Sequence, residues 1–279
     1  MRGLLPVFTL IVQAWRDLDV KAGTLTTAME FQAGEARVEV NVPSRAALLD
    51  EIVGRFARGE GFALATLNLD HLVKLARDPA FAAAYGAHDL VSADGRPVVW
   101  LARQARRPVG LVTGSDLIRP LLQRTAEAGV PVALFGATTE TLEAAAARLG
   151  ADIPGLDIAL TIAPPMGFDP EGDEAGAALV QMRERGVRLC LIALGAPRQE
   201  RFAAFGRKTA PGIGFASIGA GLDFIAGTQR RAPAWVRAIA LEWLWRMLSD
   251  PRRLALRYLH SALILPGHVA RAIRMRRRG

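Results

Sequence analysis

The stretch Val187-Arg188-Leu189-Cys190-Leu191-Ile192-Ala193-Leu194, followed at once by Gly195-Ala196-Pro197-Arg198-Gln199-Glu200, decides the fold. A short, nearly continuous apolar run is what a strand buried on both faces looks like. The glycine ends it, and Pro197 stands where it can start a helix. The same grammar repeats on either side. Phe62 to Leu67 reads as a buried strand, and Asp70 to Tyr85 as one helix with Leu72, Val73, Leu75 and Ala76 on a common face. Leu90 to Ser92, Val130 to Phe135, Ile158 to Ile162 and Gly214 to Gly219 read as further strands. Helices are expected through Val98 to Arg103, Ser115 to Ala128, Thr139 to Leu149 and Glu171 to Arg185. Strands alternating with helices predict an α/β fold with a mostly parallel sheet covered on both faces.

Such sheets bind ligands beyond the carboxyl ends of their strands. The residues that follow each strand are therefore the candidate site. They are Thr66-Leu67-Asn68-Leu69-Asp70-His71, Ser92-Ala93-Asp94-Gly95, Gly195 to Glu200, and Gly219-Ala220-Gly221-Leu222-Asp223-Phe224, with Thr113-Gly114-Ser115-Asp116 opening another helix. Asp94 is the leading candidate, because a carboxylate at a strand end followed by glycine can approach a ligand and take its proton. The competing reading makes Asp94 the cap of the helix near Pro97. Thr66 and Asn68 are turn-forming residues or ligand contacts, and Gln199 and Glu200 are first-turn residues or ligand contacts. His71 faces the cleft or is a partly buried histidine of no chemical consequence. Gly219-Ala220-Gly221 falls short of a dinucleotide fingerprint, since Phe224 stands where its third glycine belongs; such a turn can still hold phosphate through backbone N–H groups.

Composition narrows the classes. The 279 residues carry a net charge of +8, yet Arg230 to Gly279 alone holds twelve Arg and no Lys against Glu242 and Asp250. A near-neutral body with a basic, tryptophan-bearing tail suggests work at an anionic surface. One cysteine excludes an internal disulfide, and four His at unrelated spacings argue against a metal site. Leu4 to Val12 is too short to span a bilayer and lacks a cleavage site; residues 1–35 are read as a poorly ordered extension or an over-called start before Met29. Residues 36–227 form the expected catalytic body and residues 228–279 the appendage.

Taken in order, Thr66-x-Asn68, Ala93-Asp94-Gly95, Gly114-Ser115-Asp116-Leu117, Gly195-Ala196-Pro197-Arg198-Gln199-Glu200, Gly219 to Gly227, Arg231-Ala232-Pro233, Leu241 to Arg246, Pro251-Arg252-Arg253-Leu254 and Arg257-Tyr258 resemble the WecG/TagA/CpsF glycosyltransferases. The resemblance spans roughly Val40 to Tyr258. It implies a Rossmann-like body with a helical basic appendage, and an inverting, metal-free enzyme without a cofactor. The implied donor is a UDP-sugar carrying N-acetylmannosamine, its uronic acid, or glucose. The implied acceptor is a sugar linked through diphosphate to a polyprenol. By the same resemblance Asp94 is catalytic. Thr66, Asn68, Gln199, Gly195, Gly219, Gly221 and Asp223 bind substrate, and Arg231, Arg246, Arg252, Arg253 and Arg257 close the site over the diphosphate. Members of this kind can self-associate through the body. Leu111 departs from the pattern where many members carry Arg; the task of that Arg is then vacant or passes to Arg106 or Arg107.

Trp235, Trp243 and Trp245 suit the headgroup region of a membrane. Ser261 to Ala270 is interrupted by Pro266, Gly267 and His268 and does not span, while Arg271, Arg274 and Arg276 to Arg278 form a cationic end. Peripheral attachment at the cytoplasmic face of the inner membrane is expected. A nucleic-acid binder is disfavoured because the body has no basic stripe, and a nucleotide-dependent oxidoreductase or methyltransferase because the glycine pattern is incomplete.

Overall fold

A computed structural model describes residues 28–229, 233, 245, 247–248 and 250–278. Six strands form one sheet: β3 (Phe62–Leu67), β4 (Leu90–Ala93), β5 (Val132–Gly136), β6 (Ile158–Ile162), β7 (Leu189–Ala193) and β8 (Gly214–Ser217), in the spatial order β4-β3-β8-β7-β5-β6. Every pairing within it is parallel. The α/β expectation is met, and Phe62–Leu67 and Ile158–Ile162 keep the bounds read from the sequence.

Alternation along each strand divides the core by face. Leu64, Leu134, Leu191 and Ala216 face α1 (Arg45–Arg58), α5 (Gly114–Glu127), α6 (Thr139–Asp152) and α9 (Gly221–Ala226). On the other face, Phe135, Cys190, Ile192 and Phe215 meet α7 (Asp173–Glu184) and α8 (Arg198–Thr209). Ala65, Leu67, Val91 and Ala93 continue that second face toward α2 (Leu69–Leu75), α3 (Pro79–Gly86) and α4 (Arg96–Gln104). Phe135 stacks on Phe202 with ring centroids 4.3 Å apart, locking α8 to the sheet.

Two expectations change and a third is extended. The helix expected over Asp70–Tyr85 is two helices, because Asp78 caps α3 through the Phe81 amide and Pro79 occupies its first turn, where a continuing helix would need Pro79's missing N–H. Residues 29–35 are not a poorly ordered extension. Met29–Ala33 (β1) pairs antiparallel with Ala36–Val40 (β2), and Met29 and Phe31 are buried. Residues 1–27 lie outside the described residues. Finally, the appendage packs on the body: the 28-residue α10 (Pro251–Arg278) lies against α2 and α4, with Leu254 and Ala272 buried.

The outer edge of β4 is covered rather than left open. Asn41 Nδ2 donates to Asp89 O at 2.9 Å while its Oδ1 accepts from Val91 N at 2.8 Å. Further along, Leu111 bridges Ala93 in parallel and Ser92 Oγ donates to Val112 O at 2.9 Å. Edge pairing of this kind blocks sheet extension and fixes the strand end that carries Asp94.

Candidate active site

Because β4, β3, β8 and β7 are consecutive in the sheet, their carboxyl ends set Asp94, Thr66, Gly219 and the Gly195–Gln199 loop side by side. Asp94 follows β4 and its backbone N–H donates to Leu67 O at 2.7 Å. Thr66 Oγ1 donates to Asp94 Oδ2 at 3.3 Å, so the hydroxyl of one strand end orients the carboxylate of the next. Asp94 does not cap α4: the residue at that position is Gly95, at φ 106°, with no side-chain cap bond. A left-handed residue here turns the chain away immediately after Asp94 and leaves the half-buried carboxylate at the mouth of the sheet.

Gln199 is buried, and it is more than a first-turn residue. Its Oε1 accepts from Gly219 N at 3.1 Å and its Nε2 donates to Glu200 Oε1 at 2.8 Å. The amide thereby ties the loop after β7 to the turn after β8. Close packing sits behind that turn. A Cβ on Gly221 would meet Ile118 Cδ1 at 2.3 Å, and one on Gly114 would meet the Ile218 backbone at 3.0 Å. Glycine at both positions lets the start of α5 and the Gly219–Gly221 turn converge. A Cβ on Gly195 or Gly219, by contrast, would meet nothing within 4 Å, so the front of both turns is open.

The remaining candidates separate. Asn68 Oδ1 accepts from His71 N at 3.0 Å and caps α2, which leaves the Nδ2 amide as the group it can offer a ligand. Asp223 is tied into its own helix end by Thr228 Oγ1 and Gln229 Nε2, both at 3.3 Å, and partial burial raises its pKa. Arg252 is exposed at the start of α10, and Arg253 lies in the same helix. Arg231 and Arg246 lie outside the described residues. Arg257 Nε pairs with Asp70 Oδ2 at 3.2 Å, which also faces Lys74 Nζ at 2.9 Å. Lys74 Nζ in turn donates to Ala196 O at 3.2 Å, inside the loop that carries Gln199. These groups, with Arg77, His260 and Pro197, line a cavity of about 450 Å³ beside that loop. Leu111 is 37% exposed and adjoins Ala93, while Arg107 Nη1 approaches Ala28 O at 3.5 Å, in a groove shared with Arg271 and Arg274.

Sequence reading missed the buried groups behind the site. His71 is not in the cleft; burial drives its pKa down to about 3, and its Nδ1 lies 2.9 Å from Tyr85 Oη. Burial, then Glu200 and Asp94, raise the Tyr85 phenol, so that both carboxyl groups lie within electrostatic reach of one ring. Burial raises Glu200 to about 7 against the hydrogen bond from Gln199. Glu200 reads as a first-turn residue or ligand contact, and a first-turn glutamate is so common that nothing in the sequence marks it as buried.

An open parallel sheet with an oriented carboxylate and glycine turns at its strand ends is where α/β enzymes place their ligands. The family model described as "Glycosyl transferase WecG/TagA/CpsF family" matches residues 36–279. The chain belongs to that family, and the protein is a glycosyltransferase. The match takes in β2 and runs through α10, so the body and the C-terminal helix are both parts of the family's pattern.

Proposed function

We propose that the protein moves a sugar from a UDP-sugar onto a sugar linked by diphosphate to a polyprenol, with inversion, in the building of a cell-surface or exported polysaccharide. The observation that carries this reading is the Thr66–Asp94 pair at the open end of β3 and β4. In a single displacement the acceptor hydroxyl oxygen attacks the sugar C1, its proton passes to Asp94, and the bond from C1 to the UDP oxygen breaks. A positioned base contributes roughly 10² to 10⁴ in rate. The leaving diphosphate carries negative charge, for which this chain offers backbone N–H groups of the Gly219–Gly221 turn and cations from Lys74, Arg257 and the other C-terminal arginines. No metal or cofactor enters this scheme. N-acetylmannosamine, its uronic acid and glucose are the candidate donor sugars. With Asp94→Asn, UDP binding, read as a thermal shift, is expected to persist while turnover falls about 10² to 10⁴-fold. Near-normal turnover in that variant would remove Asp94 from the role.

Attachment to the cytoplasmic leaflet of the inner membrane fits the same substrate, whose lipid stays in the bilayer. Support comes from α10. Its outward face presents Ala255, Leu256, Leu259, Ala262, Leu263, Ala270 and Ile273, with Arg252 at one end and Arg274, Arg276 and Arg277 at the other. No described helix is long and apolar enough to cross a membrane. A helix with one apolar face and cationic ends lies in the headgroup plane, where each charge near an anionic leaflet contributes about 1 kcal/mol. Glutamate at Leu256, Leu259 and Leu263 together should abolish co-sedimentation with anionic vesicles and spare the fold; unchanged sedimentation would defeat this placement. Self-association through the body is compatible with the fold and belongs to the same proposal.

A further inference from the structure

Glu200 is fully buried at the start of α8, and its Oε1 accepts from Gln199 Nε2 at 2.8 Å. Its Oε2 is buried as well and has no hydrogen-bond partner among the described residues. Burying a carboxyl group this way costs several kcal/mol if it is charged, and an apolar side chain would pack there more cheaply. The group therefore calls for a task, and the geometry supplies one. A carboxamide can sit in two senses that differ by exchanging its oxygen and nitrogen. By accepting from Nε2, Glu200 Oε1 holds Gln199 with Nε2 inward and Oε1 toward Gly219 N, 3.1 Å away. If the amide turned over, the bond from Nε2 to Glu200 would be lost and two N–H donors would face each other at Gly219.

We propose that Glu200 is a positioning residue for the transfer reaction: it fixes the sense of the Gln199 amide and, through it, the spacing between the loop after β7 and the turn after β8. The loops it joins are the two whose fronts are open, so an error in their spacing falls on the ligand. This inference rests on the reading of the site as one for UDP-sugar transfer, but the contact itself does not. Tyr85 of α3, itself within reach of Asp94 after β4, and Lys74 of α2 are the titratable groups that interact with Glu200 electrostatically. None of these supplies the bond that Gln199 makes.

A double-mutant cycle on the full chain tests the proposal, with Glu200→Met (similar length, no acceptor), Gln199→Ala and the pair together. If Glu200 acts through Gln199, each single change lowers kcat/KM for the donor by about tenfold to a hundredfold, and the pair loses no more than about twofold beyond the worse single. Losses that multiply would overturn it. Glu200→Gln keeps the accepting Oε1 and should restore most of the activity lost in Glu200→Met. A second readout needs no substrate: exchange of the Gly219 amide hydrogen is expected to accelerate in Glu200→Met and stay slow in Glu200→Gln. Unchanged Gly219 protection in Glu200→Met also overturns the proposal. If the unmodified protein turned over no UDP-sugar, the transfer reading would fall while the amide measurement still judged the contact.

Discussion

β4 has an aspartate at each end, and the two are treated in opposite ways. Asp89, before the strand, accepts from Ala63 N at 2.8 Å, from Arg207 Nε at 2.9 Å and from Arg55 Nη1 at 3.5 Å. Burial alone would raise its pKa, but Arg207, the Ala63 amide and Arg55 together hold it below the usual carboxylate value. Asp94, after the strand, is oriented by a neutral hydroxyl and followed by a left-handed glycine. One aspartate is surrounded by cations that make it a fixed anion. The other accepts from the Thr66 hydroxyl and stands half-buried at the carboxyl edge of the sheet. The same strand thus uses one chemical group for cohesion at the amino edge of the sheet and, in the proposed reaction, as the base at the carboxyl edge.

The contrast predicts opposite profiles. The largest effect expected anywhere in the molecule is the turnover loss on Asp94→Asn described above, accompanied by little change in unfolding temperature. Asp89→Ala should do the reverse. It leaves two partly buried guanidinium groups and the Ala63 amide without their acceptor, at a cost of about 2 kcal/mol in unfolding free energy. Activity per folded molecule should be nearly unaffected. Since the folded pKa of Asp89 is depressed, its stabilisation is present above the unfolded value and is lost as pH falls through the folded one. Urea titrations of both variants at pH 7 and pH 3 check this; a stable Asp89→Ala protein would erase the contrast.

Glu200 sharpens the comparison with a third carboxyl group, one fully buried and bonded to a neutral amide rather than to guanidinium groups. Its folded pKa of about 7 stands above the unfolded value of 4.5. Between those two values the folded state binds more protons than the unfolded, so this group makes stability fall as pH rises. His71 and His88, held neutral by burial with pKa values of about 3 and about 4, act in the opposite sense: stability rises with pH until it passes their unfolded value of 6.5. A whole-protein pH profile mixes the two trends. The difference between Glu200→Gln and the unmodified protein isolates the acid. It should grow in favour of the variant from pH 4.5 to about 7, reach a few kcal/mol, and then stay level. A flat difference would mean that Glu200 is not held as a neutral acid.

Much of the architecture was legible because a buried parallel strand writes itself as an apolar run with a glycine behind it, as in Phe62–Leu67 and Val187–Gly195. Asp94 was legible for the same reason, being the first residue past such a run, and Thr66 as the polar residue near the carboxyl end of its own strand. The hairpin Met29–Val40 was not recognised, although Met29, Phe31, Ala33, Val38 and Val40 alternate inward along it. The chain end beside it suggested an extension, and that outweighed a period-two pattern only five residues long. The partnership of Gln199 with Gly219 spans 20 residues and exists only because β7 and β8 are neighbours. Strand order is set by the whole core, so no local pattern encodes that bond. The tail arginines were read as a group, but a charge pattern says nothing of direction: Arg257 turns to Asp70 while Arg252 faces solvent.

The smallest expected effect concerns what holds α10 to the body. Arg257 and Asp70 look like an anchor, yet the Arg257 side chain is 37% exposed and the pair is screened, so its net contribution should be under about 1 kcal/mol. The apolar seam is the stronger candidate. Leu254 and Ala272 are buried, and Ile264, Leu265, Val269 and Met275 pack against the cluster of α2, α4 and the hairpin. His268 reaches the Phe31 ring at 6.1 Å between centroids, extending the seam to β1. Arg257→Gln should therefore shift the unfolding temperature by no more than a few degrees, whereas Leu265→Ala should cost about 2 kcal/mol or more. If Arg257→Gln proved the more damaging of the two, the helix would be held by charge, and high salt would loosen it from the site. If Leu265→Ala does more harm, α10 stays seated whatever the ionic strength, and Arg257 can exchange Asp70 for a phosphate oxygen without the helix letting go.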